Sequence, residues 1–236
     1  MTLHSDSFDF QGKKKMQRSA ETPVRAVWTD YGGVLEVPST KVTVANFCAK
    51  TGITSAQLLA SMEKVAGSYG VDMLAPLDTP LITQEEWSQQ VEAVLLAEEG
   101  VKADLSDFPA RWFEGRSANQ PWVDHLRQLK SRGTFVGLMS NMVPAWDEHW
   151  RRIINPEGLF EDIVMSFEVG SRKPDTDIFR VAEKRAGFLP EECVLIDDME
   201  KNCEGARKAG WHAIHFTEPA QAIAELDALL AVGPPE

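Results

Sequence analysis

Cysteine is scarce. The chain holds Cys48, Cys193 and Cys203, an odd number at spacings that match no zinc site. A disulfide scaffold is thereby excluded, and a reducing cytoplasm is the expected compartment. Cys193 opens an apolar run and reads as a core residue rather than a reactive thiol. No apolar run approaches the ~18 residues that a bilayer-spanning helix needs. Excess positive charge is missing too. Lysines and arginines number 24 against 36 aspartates and glutamates, a net charge of −12. Such an acidic surface repels phosphate backbones and anionic lipids, so neither nucleic acid nor membrane is expected as a partner. Small anionic substrates remain compatible, because a local site can oppose the overall field. There is no internal repeat and no low-complexity linker.

The rest is globular in composition, with 43% hydrophobic and 25% charged residues over 236 positions. That length suits one generous domain, or a core domain carrying a smaller insertion. Residues 1–22 read as a flexible solvated tail, with no apolar segment behind the basic residues that a secretory signal requires. Gly12 followed by three lysines lacks the spacing of a phosphate-binding loop.

Val24 to Thr29 is a β-prone run that delivers Asp30 to a Tyr31-Gly32-Gly33 turn. Helical texture follows: Thr40 to Lys50, Ser55 to Ser68, and a segment opened by the capping box Thr83-Gln84-Glu85-Glu86. From Pro121 helices alternate with apolar strands at Thr134 to Met139, Asp162 to Ser166, Val194 to Ile196 and His212 to Phe216. This alternation predicts an α/β fold with a Rossmann-like, three-layer parallel-sheet core. Residues 23–38 and 118–236 form the expected core domain. The roughly 80 residues between, 39–117, are too long for a plain loop and read as an α-helical cap domain. Trp87, Trp112, Trp122 and Phe108 either line a pocket beside that cap or pack it, and packing is the expectation. His125, His149, His212 and His215 show no ligand spacing.

Three strand ends carry polar groups: Asp30, Ser140-Asn141 and Asp197-Asp198. In a parallel sheet they open on one edge, and Lys173 joins them from the loop after the third strand. The set suits a hard divalent cation such as Mg²⁺ between Asp30 and the acidic pair. Asp30 could then attack a phosphorus atom while Lys173 and the cation neutralise the phosphoryl oxygens. The Ser140 hydroxyl and neighbouring backbone N–H groups would hold those oxygens.

The segments VWTDYGGVLE, LMSN, GSRKPDTDIF and VLIDDMEKNCEGARKAG, in that order and spacing, resemble the four motifs of the haloacid dehalogenase-like hydrolase superfamily. The similarity is greatest to the branch with a helical cap after the first strand, which includes the phosphatase-like domain of epoxide hydrolases. The resemblance implies Asp30 as a nucleophile that forms an aspartyl-phosphate. It implies Ser140, with Asn141 beside it, as phosphate-binding, and Lys173 as the bridge between nucleophile and phosphate. Asp198 would ligate magnesium directly, Asp197 directly or through water, and Gly32 through its carbonyl. Asn202, just beyond the pair, would be a local structural brace rather than a reactant.

One position departs from that pattern. The family's phosphatases usually carry a second aspartate where this chain has Gly32. Glycine keeps the carbonyl but cannot move a proton, and acid–base help is worth ~10²–10⁴ in rate. Tyr31, Glu36 or residues of the cap are candidate replacements. The expected function is therefore a magnesium-dependent phosphatase of a small phosphorylated metabolite, slow or selective for good leaving groups. Two alternatives stand beside it: a scaffold of the same fold that has lost turnover, and a metal-independent 2-haloacid dehalogenase.

Overall fold

The computed structural model describes residues 22–37 and 40–231. All but the last residue of the expected tail, and the expected boundary at 38/39, lie outside them.

In chain order, β1 (Ala26–Thr29) and the two-residue β2 (Glu36–Val37) are followed by five helices. These are α1 (Thr40–Thr51), α2 (Ser55–Ser68), α3 (Ala75–Asp78), α4 (Gln84–Glu99) and α5 (Phe108–Phe113). The chain then runs through β3 (Ser117–Ala118), α6 (Gln120–Ser131), β4 (Phe135–Ser140), α7 (Asp147–Ile154), β5 (Asp162–Met165) and α8 (Ser166–Val169). It finishes with α9 (Thr176–Ala186), β6 (Cys193–Asp197), α10 (Glu200–Lys208), β7 (His212–His215) and α11 (Pro219–Leu230). Five strands form one sheet in the order β5-β4-β1-β6-β7, every pairing parallel. β2 pairs antiparallel with β3 where the chain leaves and re-enters the core.

Strands buried on both faces must be largely apolar, and β1, β4 and β6 are, up to the polar residue that ends each: Thr29, Ser140 and Asp197. The period of two sends alternate residues to opposite layers. Val27, Val136, Leu138, Val194 and Ile196 pack with α6 and α11 through Trp122, Leu126, Leu129, Ala222 and Leu226. Ala26, Trp28, Cys193 and Leu195 face the other way, onto α9 and α10 through Ile178, Phe179, Ala182 and Ala206. Three layers result, as the alternation of elements predicts. Cys193 is fully buried among them, as expected of a core residue, and that burial pushes its thiol up to about 12.

The expected capping box is present. Thr83 Oγ1 accepts from Glu86 N–H at 3.2 Å, and Glu86 Oε2 accepts from Thr83 N–H at 2.9 Å. Thr54 and Gln57 repeat the device on α2, each cap contributing about 0.5–2 kcal/mol. The tryptophans pack rather than line a pocket. Trp87 meets Phe108 edge-on at 5.0 Å and Trp112 stacks on it at 5.4 Å. Trp122 donates its indole N–H to Thr29 Oγ1 at 3.1 Å. Pro144–Trp146 forms a single 3₁₀ turn that leads into α7.

Trp28 sits in register with Gly137 on the neighbouring strand. A Cβ at Gly137 would fall 2.4 Å from the Trp28 ring, which is fully buried and has nowhere to move. We expect Gly137→Ala to destabilise the fold by roughly 1–3 kcal/mol, measured as a lowered urea midpoint at unchanged slope.

Candidate active site

β1 is the central strand, and its neighbours on either side are β4 and β6. The residue after β1, Asp30, donates its N–H to the Ile196 carbonyl at 2.8 Å, which sets it level with the ends of both neighbours. Ser140 closes β4 and Asp197 closes β6. Three segments far apart in sequence thus reach one rim.

Lys173 is 1% exposed and spends its ammonium on three acceptors. Asp197 Oδ2 lies at 2.5 Å, the Met139 carbonyl at 2.9 Å and Asp30 Oδ1 at 2.8 Å. Burial works against its charge, but Asp197 and Asp30 outweigh burial and hold the ammonium protonated far beyond neutral pH. Burial, together with Asp197, lifts the Asp30 carboxyl above the ordinary range, while Lys173 and the Ser140 hydroxyl pull it back.

Asp197 is wholly buried, and its second oxygen accepts from Met199 N–H and from the Asn202 amide, both at 2.9 Å. Asn202 is the brace expected of it. Asn141 does something else with its side chain. Its Oδ1 accepts from Lys173 N–H at 2.8 Å and its Nδ2 donates to the Lys173 carbonyl at 2.9 Å. Each polar end is engaged by the Lys173 backbone, which leaves the second amide hydrogen and the backbone N–H for an anion. The clip fixes the backbone that carries the ammonium.

Asp198 stands against bare main chain. A Cβ on Gly33 would lie 2.3 Å from Asp198 Oδ2, and Gly33 adopts φ +72°, which disfavours any side chain. One oxygen each from Asp30, Asp197 and Asp198 lie within 4.8 Å of one another. Burial, then the charges of Asp30 and Asp197, push the Asp198 carboxyl up to about 7. Three acids against one ammonium, all oxygen donors, is the composition that a hard divalent cation satisfies. Gly32 offers open space by contrast. A Cβ there would meet only Asp30 Oδ2, at 3.9 Å.

Of the candidate stand-ins for the missing acid, Tyr31 packs its ring between Trp150 at 5.9 Å and Phe113 at 6.4 Å. Glu36 is 2% exposed and pairs with Arg116, whose guanidinium lies over the Trp112 ring at 5.1 Å. That buried pair joins the two ends of the β2–β3 junction. A cleft of about 710 Å³ lined by Asp72, Ala75, Arg172 and Pro174 contains none of the site carboxylates. Sequence reading missed Gly33, Arg116 and Arg172; only the Gly-Gly pair gave a signal, as a turn.

A protein-family model described as haloacid dehalogenase-like hydrolase matches residues 84–210, more than half of the chain. The chain belongs to the haloacid dehalogenase-like hydrolases. Among curated relatives of this hydrolase, the sesquiterpene phosphatase astK of Aspergillus oryzae is 33% identical over 44% of this chain and 54% of its own. The glyceraldehyde 3-phosphate phosphatase of Methanopyrus kandleri is 26% identical over 68% of this chain and 66% of its own. The hydrolase thus spans about half to two thirds of those two relatives. The HAD family enzyme bt-2542 of Bacteroides thetaiotaomicron, solved as a magnesium complex, shares its fold. The TM-score is 0.67 at 23% identity, over 87% of this chain and 99% of that one. Among the described residues, no helix is long and apolar enough to cross a membrane.

The Asp198 environment yields a signed pH effect. Unfolded, an aspartate ionises near ~3.9; folded, Asp198 keeps its proton up to about 7. Its contribution to stability is therefore present below the unfolded value and lost as pH rises through the folded one. In chelator, the melting temperature of Asp198→Asn should match the native chain near pH 4. It should gain on the native chain up to about pH 7 and keep a constant lead above that.

Proposed function

We propose that this hydrolase is a magnesium-dependent phosphatase of a small phosphorylated metabolite, working through an aspartyl-phosphate on Asp30. One observation carries the reading: Lys173 bridges Asp30 and Asp197 at a rim that Ser140 and Asp198 also reach. The two phosphatase relatives support it.

In the first step an oxygen of Asp30 attacks phosphorus, the P–O bond to the leaving group breaks, and its electron pair departs on the leaving group's oxygen, which takes a proton from solvent. Lys173 lowers the repulsion between the Asp30 carboxylate and the phosphoryl oxygens. Ser140 donates its hydroxyl to one of those oxygens, and the Asn141 backbone N–H serves another. In the second step water attacks phosphorus, the P–O bond to Asp30 breaks to restore the carboxylate, and inorganic phosphate leaves with the water's oxygen while its surplus proton passes to phosphate or solvent. Asp30, Asp198 and the Gly32 carbonyl would hold the cation. Asp197 would join them directly or through water, with the one lone pair on Oδ2 that its three hydrogen bonds leave free. When bound, Mg²⁺ supplies charge to offset the transferring phosphoryl oxygens.

Residues 39–117, with their five helices, serve in this reading as the cap domain over a core made of 23–38 and 118–236. The three cysteines are free and buried, which supports a cytoplasmic setting. The acidic cluster at the site favours phosphoryl transfer over metal-free dehalogenation.

Purified protein should release phosphate from an aryl phosphate only with magnesium present, and Asp30→Asn should lose that activity by at least ~10³-fold. Equal rates in the two proteins, or full activity in chelator, would overturn the proposal.

Gly32 leaves the departing oxygen without a side-chain proton donor at that position. Aryl, acyl and anomeric phosphates should therefore outrun simple alkyl esters. Gly32→Asp fits the open space beside Asp30 and should speed alkyl-ester hydrolysis by at least ~10-fold, within the ~10²–10⁴ that such help can supply. An unchanged ratio of alkyl to aryl rates would mean that another group already delivers the proton.

A further inference from the structure

Asp78 closes α3, in the helical segment between β2 and β3, and belongs to none of the motifs. It is 2% exposed. Its carboxylate accepts a fork from Arg172: Nε to Oδ1 and Nη2 to Oδ2, each at 2.9 Å. Its carbonyl accepts from the Ser166 hydroxyl at 2.6 Å. The same Ser166 oxygen accepts from Met142 N–H at 3.0 Å.

Both connections end beside the site. Arg172 immediately precedes Lys173, and Met142 lies two residues beyond Ser140. Those two loops are themselves stitched together by the two hydrogen bonds between the Asn141 side chain and the Lys173 backbone, one donated each way. A second acid of the same helical segment, Asp72, accepts from Arg172 Nη1 at 2.5 Å. It also takes Lys201 Nζ at 3.2 Å, three residues past Asp198. The segment therefore grips the core on the loops that carry the candidate site.

A bidentate guanidinium–carboxylate fork fixes direction as well as distance. Here it fixes the main chain at Arg172, and through it the root of the Lys173 side chain. A 1 Å error at that root would be transmitted to the ammonium between Asp30 and Asp197, and misplacement on that scale can cost ~10²-fold in rate.

We propose that Asp78 is a positioning residue: seated on Arg172 and Ser166, it sets the Lys173 and Ser140 loops, so that the placement of the helical segment fixes the ammonium against Asp30. The kinetic part of this inference rests on the phosphatase reading; the structural part does not. Asp78 touches no substrate in this scheme and acts only through the two loops.

Asp78→Asn is the direct test, because the amide nitrogen brings a donor to face a guanidinium donor while the backbone contact to Ser166 survives. Arg172 keeps Asp72 as a partner in that variant, but removing one acid from a largely buried ion pair can itself destabilise a protein. Asp78→Asn/Arg172→Gln is therefore made alongside, to remove both charges. Hydrogen exchange is measured on the proteins without ligand, and steady-state kinetics with p-nitrophenyl phosphate and Mg²⁺.

In both variants, amides at 141–142 and 172–175 should exchange faster than in the native chain, while those of β1 and β6 stay unchanged. The rate constant kcat should fall about 10–100-fold, with KM within about threefold. The double variant should regain melting temperature over the single one without regaining kcat. Faster exchange confined to the helical segment would overturn the inference, and so would a kcat that recovers together with stability. If the native chain hydrolyses no phosphate ester, the phosphatase reading fails. The exchange pattern at 141–142 and 172–175 then decides the positioning claim alone.

Discussion

Everything at the candidate site is arranged around one buried ammonium. A lysine withdrawn from water is unfavourable unless its charge is matched and its three N–H groups are all received. Here Asp197 and the Met139 carbonyl accept hydrogen bonds from it, and Asp30 faces it as a second ion-pair partner. The same contacts are what a nucleophilic carboxylate needs in order to approach an anionic phosphoryl group. Structural necessity and chemical use are thus met by a single set of contacts. The loops around the site serve mainly to keep that lysine where it is.

The division of labour within the acidic pair follows from burial. Asp197 is sealed inside, paired with Lys173 and held by Asn202 and Met199. Asp198 keeps partial contact with solvent and presses against the Gly33 backbone. Adjacent residues after a strand point to opposite sides, so one acid anchors the lysine while the other faces outward. Nothing in the one-dimensional order Asp-Asp says which is which.

The parallel sheet and the meeting of Asp30, Ser140, Lys173 and the acidic pair were legible because they follow from two rules. Apolar runs between helices become buried parallel strands, and the ends of such strands share an edge. What could not be read was too short or too distant. β2 and β3 have two residues each, and α3, α5 and α8 only four to six, less than two turns of any periodic signal. The Glu36–Arg116 and Asp78–Arg172 pairs join residues 80 and 94 positions apart, and each member alone looks like a surface charge. Asn141 stands where an anion-binding residue is expected, yet its amide closes on the Lys173 backbone. Only the distance between the two loops, which no motif encodes, decides that.

The close approach of Gly33 and Asp198 makes the two positions a single volume shared between a backbone and a side chain. Any carbon added to the first must be subtracted from the second. A longer acid at 198 is therefore as unwelcome as a methyl group at 33, and the reach of the outward carboxylate is bounded by the absence of a side chain opposite it. Here glycine acts as a gauge that fixes the length of its neighbour, a role separate from the freedom it gives the turn.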